Sequence, residues 1–373
     1  MAHLKVNLQV KPGQSIRAFY LLFIIVGIQT GIGILGAPRY IFENSEQDAW
    51  ISVIIAFVYM LVVVWAMFVI LNQYENADIF GIQVDVFGKW LGKALGSIYI
   101  LFFFLELLTV ILGYIQIIQV FIFPTIPAYA MTFLLLILIT YAVLGGFRVV
   151  VGASFLFTIL SPWVFLLLYD PITRMETAHF LPVFEASIMD LIKGARTTSY
   201  TFLGLEILFL IYPFIEDKKN AKLPVYLGVS ISAFLVLITT VVSIGYFSPN
   251  DFGLMKWPVL SLFKSVSFSF LERFDYFVLA EWMMVTIPTM TLLMWGITFG
   301  TKRLYAVSQK KTLYVTAALV LVLCSVINMD VQMNKLNDFL NHAGFWIVFV
   351  YPFLLLPIVL FKKKVQRSKG SAK

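Results

Sequence analysis

An all-α polytopic membrane protein is the fold class this sequence predicts, and three observations predict it. The 373 residues are 61% hydrophobic and only 13% charged, with a mean hydropathy of +0.92, and a soluble fold cannot bury so much apolar surface. Apolar runs near the ~20 residues needed to cross a bilayer recur from Ala18 to Phe361 with no long polar region between them. Lysine and arginine are also distributed by side. Nineteen of the 27 fall at the N-terminus and in alternate connections, and eight in the others, the asymmetry that cytoplasmic loops carry.

Taken in order, ten apolar runs are predicted as spans: about 18–42, 49–71, 91–123, 128–146, 148–169, 196–215, 222–247, 272–300, 312–328 and 341–361. The inward connections include Lys218, Lys219 and Lys222, then Lys302, Arg303, Lys310 and Lys311, then Lys362, Lys363 and Lys364. Both termini are therefore expected in the cytoplasm, and an odd span count would break the alternation. The chain reads as one transmembrane domain over residues 1–373, without a cleavable signal peptide. Only Gly145-Gly146-Phe147-Arg148 separates the fourth and fifth runs. The third is longer than a bilayer requires, so that helix is tilted or projects beyond it.

Two outward loops, 170–195 and 247–271, are large. Met189, Leu191 and Ile192 beside Asp190 and Lys193 predict a short amphipathic helix at the interface. Trp257-Pro258 followed by Val259–Phe270 predicts another surface helix. The inward loop Asn72–Trp90 mixes Glu75, Asp78 and Asp85 with apolar residues and predicts a helix along the cytoplasmic face. Plain interfacial packing explains all three, and gating is the sharper alternative. The basic tail 362–373 is a stop-transfer segment suited to anionic lipid.

The first span carries the main irregularity, Thr30-Gly31-Ile32-Gly33-Ile34-Leu35-Gly36-Ala37-Pro38. Glycine lowers the cost of leaving helical geometry, and proline removes a donor and clashes with the preceding turn. In hydrocarbon an opened helix is tolerated only where it is buried or lines a cavity. Gly27-x-x-x-Gly31 also fits simple helix packing. Glu206, in Phe202-Leu203-Gly204-Leu205-Glu206, marks a second candidate break in the sixth span. Spans one and six head two sets of five, about 18–169 and 196–361, that enter from opposite sides. Interrupted spans at matching positions of inverted repeats point to a transporter-type site.

Glu106, Glu206 and Glu281 fall inside spans, where an ionisable group is expensive and by default marks a site or ion path. A hydrogen-bonded glutamate that simply holds helices together is the structural alternative for Glu106 and Glu281. Tyr99, Phe102, Phe103, Glu106, Thr109, Gly113 and Gln116 recur at three- and four-residue steps on one face. In span eight Pro288 should kink the helix, and Thr286 and Thr289 face either a ligand or their own backbone. His3, His179, His342 and Cys324 have no metal-site spacing, and no nucleotide-binding glycine loop is present. No cofactor, enzymatic activity or ATP-driven pumping is expected. The basic excess belongs to membrane connections, which argues against nucleic acid.

Gly31-Ile32-Gly33 and Phe202-Leu203-Gly204-Leu205-Glu206 together resemble the amino acid–polyamine–organocation transporter superfamily, with its five-plus-five inverted-repeat fold. Gly31 through Arg39, Glu272-Arg273-Phe274-Asp275 and the chain length look like the B subunit of GerA-type spore germinant receptors. The resemblance implies a subunit in the spore inner membrane, assembled with A-type and C-type subunits, that senses a small nutrient, an amino acid or a sugar. Span five has no buried lysine, and the threonines of span eight are not the adjacent pair of sodium-coupled relatives. Both departures favour a sensor over ion-coupled transport. A secondary amino-acid transporter, a ligand-gated ion-release channel and a purely structural subunit are the alternatives. In the implied site, backbone N–H groups after the Thr30, Gly31, Ile32, Gly33 and Ile34 break take a carboxylate. Carbonyls around Phe202 and Gly204 take an ammonium group, and Phe102, Phe103, Leu203 and Thr286 shape the pocket. Glu106, Glu206 and Glu281 serve an ion path or gate.

Overall fold

The computed structural model describes residues 5–11, 13–266, 274–327 and 331–371. The helices are α1 Tyr20–Gln29, α2 Gly33–Ser45, α3 Ala49–Leu71, α4 Ile79–Phe121, α5 Ala128–Leu144, α6 Phe147–Leu160, α7 Trp163–Leu166 and α8 Tyr169–Thr173. They continue with α9 Ile188–Thr201, α10 Ile207–Ile211, α11 Lys222–Tyr246, α12 Pro249–Phe252, α13 Pro258–Ser265 and α14 Phe274–Tyr305. The last three are α15 Gln309–Val326, α16 Val331–Gly344 and, after a π-helical turn, α17 Tyr351–Ser371. Helix occupies each of the ten apolar runs, and among the described residues seven helical stretches are long and apolar enough to cross a membrane. His3, residues 267–271 and the Glu272-Arg273 pair lie outside the described residues.

The bundle is ordered inside out relative to a soluble protein. Polar residues such as Gln29, Glu106, Glu206, Thr289 and Thr291 are buried, whereas α5 turns Phe133, Leu134, Ile137 and Tyr141 outward. Lipid is as apolar as the core, so outward apolar faces cost nothing there, and small and polar residues join the helices instead. Helices α4 and α14 pack along much of their length, α1 lies among α6, α11 and α14, and α2 lies against α9 and α13.

Helix α4 is two helices in one, the third run and an arm from the connection before it. Gly88 (φ 81°, ψ 176°) interrupts α4, a conformation only glycine takes without strain. The arm before it, residues 79–87, is the helix expected within Asn72–Trp90. Asp78 caps this arm, accepting from the Gly81 N–H at 2.7 Å, and receives Arg303 Nε from the end of α14 at 2.7 Å. Arg303 also donates to the carbonyls of Lys5 and Val6. Residues 5–11 and 13–16 thus form a strap. Leu8 N–H donates to the Asn76 carbonyl at 2.8 Å, Ile16 N–H to Phe214 at 2.8 Å, and Arg148 Nε to the Ser15 carbonyl at 3.0 Å. One end of α4, α6, α10 and α14 is tied together by it.

Three surface expectations change. The amphipathic helix expected near Met189 is the beginning of α9, which runs on to Thr201; its first turn exposes Ile188, Met189 and Ile192. The segment after Trp257-Pro258 is helical over Pro258–Ser265, but Val259, Leu260, Leu262 and Phe263 are buried against the bundle rather than spread on a surface. In the basic tail, Lys362 and Lys363 pair with Asp85 at 3.2 and 3.5 Å, so two of its charges serve the 79–87 arm rather than lipid.

Asp78 is fully buried and Arg303 nearly so, so removing one partner leaves an uncompensated charge. Arg303→Leu is expected to destabilise the protein by about 3–5 kcal/mol. Pairing it with Asp78→Asn should recover part of that loss. Thermal unfolding of the purified protein in detergent measures both.

Candidate functional site

Both candidate breaks are real, and they touch. The first spans Thr30, Gly31 and Ile32, between α1 and α2. Neither Gly31 nor Gly33 adopts a positive φ, so their value lies in the space they leave: a Cβ on Gly31 would reach Thr289 Oγ1 at 3.5 Å, and one on Gly33 would reach Thr201 at 3.8 Å. Pro38 sits inside α2 rather than at the break. The second break runs from Phe202 to Glu206, between α9 and α10. Here Gly204 has φ +98°, and a Cβ would stand 2.7 Å from Ile28 Cγ1, two residues before the first break.

Side chains stitch the breaks together. Gln29 Nε2 donates to the Phe202 carbonyl at 3.1 Å. Glu206 folds back, its Oε2 accepting from Gly204 N–H at 2.9 Å. From α14, the Thr289 hydroxyl donates to the carbonyls of Gly27 at 2.9 Å and Ile28 at 3.3 Å. Thr30 Oγ1 returns to Val26 at 2.7 Å. Glu106 of α4 meets Glu206 carboxyl to carboxyl. Three oxygens remain unmatched: Gln29 Oε1, Glu106 Oε2 and Glu206 Oε1 are buried without a hydrogen-bond partner. Buried polar atoms are almost always paired, so the cluster needs donors, and a proton shared between the two facing carboxyls supplies only one of them.

A cavity of about 760 Å³ begins at the breaks. Its deep part is lined by Gly31, Ile32, Gly33, Glu106, Thr109, Leu203, Gly204 and Thr289. Its far part lies between α2 (Arg39, Tyr40, Glu43, Asn44) and α16 (Asn334, Asn337, Asp338, Asn341), with Thr197, Tyr200, Lys256 and Trp257 on the flanks.

Of the residues expected in the site, Gly31, Ile32, Gly33, Glu106, Leu203 and Gly204 line the cavity. Thr30, Ile34, Phe102, Phe103, Phe202 and Glu206 are buried in the surrounding packing. Phe103 lies under Gly296, and Phe102 beside Gly344. Thr286 donates to its own helix at Met283 (3.1 Å), while Thr289, one turn on, reaches the break. Glu281 stands apart from the other glutamates, near Ser161 and Trp163. Sequence reasoning missed the carboxamides of α16, because 334–338 fall before the tenth apolar run. Their signal was the i, i+3, i+7 spacing of Asn334, Asn337 and Asn341, which places them on one helix face.

Residues 15–333 match a family described as spore germination protein. The chain belongs to that family. Spore germination protein GerQB of Bacillus cereus is 29% identical over 98% of this chain and 100% of its own length. YndE of Bacillus subtilis (strain 168) is 23% identical over 95% and 99%, and spore germination protein B2 of the same strain 24% over 93% and 96%. Among solved structures, a Na⁺-coupled sialic acid symporter superposes with a TM-score of 0.62 at 11% identity, covering 94% of this chain and 77% of that one. Mhp1, a nucleobase-cation-symport-1 family transporter, gives 0.59 at 11%, covering 90% and 78%. This spore germination protein therefore has a transporter fold in a multi-pass protein of the spore inner membrane, and it is not an enzyme.

The contrast between the two glycine breaks is testable. Gly204→Ala must adopt a left-handed backbone, at about 1–2 kcal/mol, and also displace Ile28. Gly31→Ala meets only ordinary contact. A lowered unfolding midpoint is expected for the first and none for the second, with Ile28→Val partly rescuing Gly204→Ala in a double-mutant cycle.

Proposed function

We propose that this chain is the nutrient-binding membrane subunit of a spore germination receptor, with an amino acid held between the two breaks. The observation that carries the proposal is the donor-poor cluster of Gln29, Glu106 and Glu206 oxygens, in which Gln29 and Glu106 line the cavity and Glu206 is buried behind them. An ammonium group has three donors and no acceptor, and its single charge balances a carboxyl pair that keeps one proton, as no uncharged ligand can. The N–H groups that open α2 after Gly31-Ile32-Gly33 suit the ligand's carboxylate.

In this reading the chain crosses the bilayer ten times as two inverted repeats, with spans one and six broken and both termini in the cytoplasm. The strap of residues 5–11 and 13–16 then closes the cytoplasmic side, and the end of the cavity that holds Arg39 and Asp338 faces outward. A- and C-type subunits would take up any change in its shape. Ligand binding shifts a receptor only by its difference in affinity between two states. Spans that interrupt and contact each other are the elements a ligand at their junction can bias.

The fold supports a second reading, coupled transport of a small solute. Against it stands Thr289, whose hydroxyl already takes the Gly27 and Ile28 carbonyls that a broken helix has to offer a cation.

Two experiments separate these readings. Screening the L-amino acids by ligand-induced thermal shift should reveal a binder whose affinity falls about ten- to a hundredfold in Glu106→Gln, the value of a charge-assisted hydrogen bond (~1.5–3 kcal/mol). No binder, or one indifferent to that change, refutes the ammonium site. In reconstituted vesicles the same amino acid should not be concentrated by a sodium or proton gradient. Gradient-driven accumulation would establish the transporter instead.

A further inference from the structure

Helix α16 ends in the π-helical turn Phe345–Val350, and there the cavity wall meets the rest of the bundle. A Cβ on Gly344, the last residue of α16, would stand 2.7 Å from Leu203 Cδ2, so a side chain of the second break fills the notch that Gly344 leaves. Arg196 of α9 lies 5.0 Å over the Phe345 ring. Beyond the turn, α17 reaches the 79–87 arm. The Tyr351 hydroxyl accepts from Gln83 Nε2 at 3.1 Å, and Lys362 and Lys363 pair with Asp85. Gly88 joins the arm to the rest of α4 at φ 81°, and nothing lies within 4 Å of where its Cβ would be. One helical path thus connects a wall of the cavity with an arm on an uncrowded joint.

The turn has two registers open to it. In a π-helix the carbonyl of residue i accepts from the N–H of i+5, and in an α-helix from that of i+4. Pro352 has no N–H, so it orphans one carbonyl in either register: Ile347 in the π form, Val348 in the α form. The matching donor for the π form is present. Tyr99 of α4 donates its hydroxyl to the Ile347 carbonyl at 3.4 Å, a long bond that a small movement breaks. Tyr59 of α3 donates to the Phe349 carbonyl at 3.0 Å. Tyr99 also stands close enough to Glu206 to feel its charge. Helix α17 accepts rotation cheaply. Leu354, Ile358 and Leu360 face outward and Leu355 and Val359 inward, and lipid and bundle take either apolar face.

We propose that the π-helical turn is a switch between two helical registers, which carries the position of Leu203 to the 79–87 arm. A π turn holds about one residue more than the α-helical turn it replaces, so conversion rotates α17 by about 100° against α16. Tyr351 then leaves Gln83, and Lys362 and Lys363 leave Asp85. The arm is released to move about Gly88, while the Asp78–Arg303 pair holds its root. The input rests on the receptor reading, in which a ligand in the deep end presses on Leu203. The switch itself rests only on the contacts of the turn.

The test is double electron–electron resonance on the full chain in nanodiscs, with hydrogen exchange of the 79–87 amides measured alongside on unlabelled protein. Spin labels go on Leu354→Cys of α17 and Tyr141→Cys of α5, both exposed positions, in a Cys324→Ser background. On a helix ~10–12 Å across, a label travels about 8 Å in such a rotation. Tyr99→Phe removes only the cap of the π form, and Pro352→Ala supplies the bond that the α form lacks. Each is expected to raise the displaced population about tenfold, the effect of one buried carbonyl losing or gaining its partner, and to speed exchange of the arm by about the same factor. If either does not fold, Tyr59→Phe carries the same test. Unchanged distances in folded variants overturn the switch. Displaced distances with an unchanged arm overturn the transmission, and a faster arm without displacement does so too, since α4 then carries the effect. An amino acid found by the thermal-shift screen should alter the two populations, and indifference to it overturns Leu203 as the input. Failure to find any binder refutes the receptor reading, and the labelled variants, measured without ligand, still decide the switch.

Discussion

A chain inside hydrocarbon has no water to fall back on, so every backbone group freed by an interrupted helix must find a partner in the protein. Two interruptions in one bundle double that demand. The chain meets it by placing the interruptions against each other, and the contact of Gly204 with Ile28 makes this possible. Only at that distance does Gln29 reach the Phe202 carbonyl and Thr289 the carbonyls of Gly27 and Ile28. Any residue larger than glycine at position 204 would push the breaks apart and leave these groups unpaired.

The same constraint explains why the acidic residues gather. Glu206 caps the turn it belongs to through Gly204 N–H, which fixes one of its oxygens and leaves the other pointing away from the backbone. Glu106 arrives from α4, the helix that packs on α14 and so carries the opposite wall. Two carboxyls that meet away from water are tolerable with a proton or a cation between them. In the receptor reading, a ligand's positive group takes the place that a shared proton otherwise fills.

Composition and loop charge made the fold class legible, and the two breaks were legible because glycine, proline and glutamate are conspicuous in apolar runs. The reason for the first break was misread. Gly31 and Gly33 do not take a positive φ and give room, whereas at the second break Gly204 does. That Glu106 and Glu206 meet was not readable, since they lie a hundred residues apart in chain order and only packing joins them. Glu281, equally conspicuous, lies elsewhere. Polarity inside a span announces a buried group and not the company it keeps. The α16 carboxamides were hidden for the opposite reason. A polar stretch beside an apolar run reads as a loop, and only continuation of the helix from Val331 through Gly344 turns it into a wall.

Seen along its length, the cavity joins a charged, backbone-rich end to a neutral, amide-rich one, and the two ends sit on different parts of the bundle. The deep end belongs to α1, α2, α4 and the Phe202–Glu206 turn, and the outer end to α2 and α16. Only α2 is common to both. It begins at the break with no side-chain cap, so its first N–H groups take no side-chain acceptor, while Tyr40 and Asn44 near its other end share the cavity wall with α16. A rigid helix of thirteen residues transmits a small displacement at one end to the other, because packed interiors rearrange between discrete arrangements rather than deform smoothly. Coupling between the two ends, in the receptor reading, is therefore a question about the position of α2. Its packing on α9 and on the buried face of α13 sets how many positions it has.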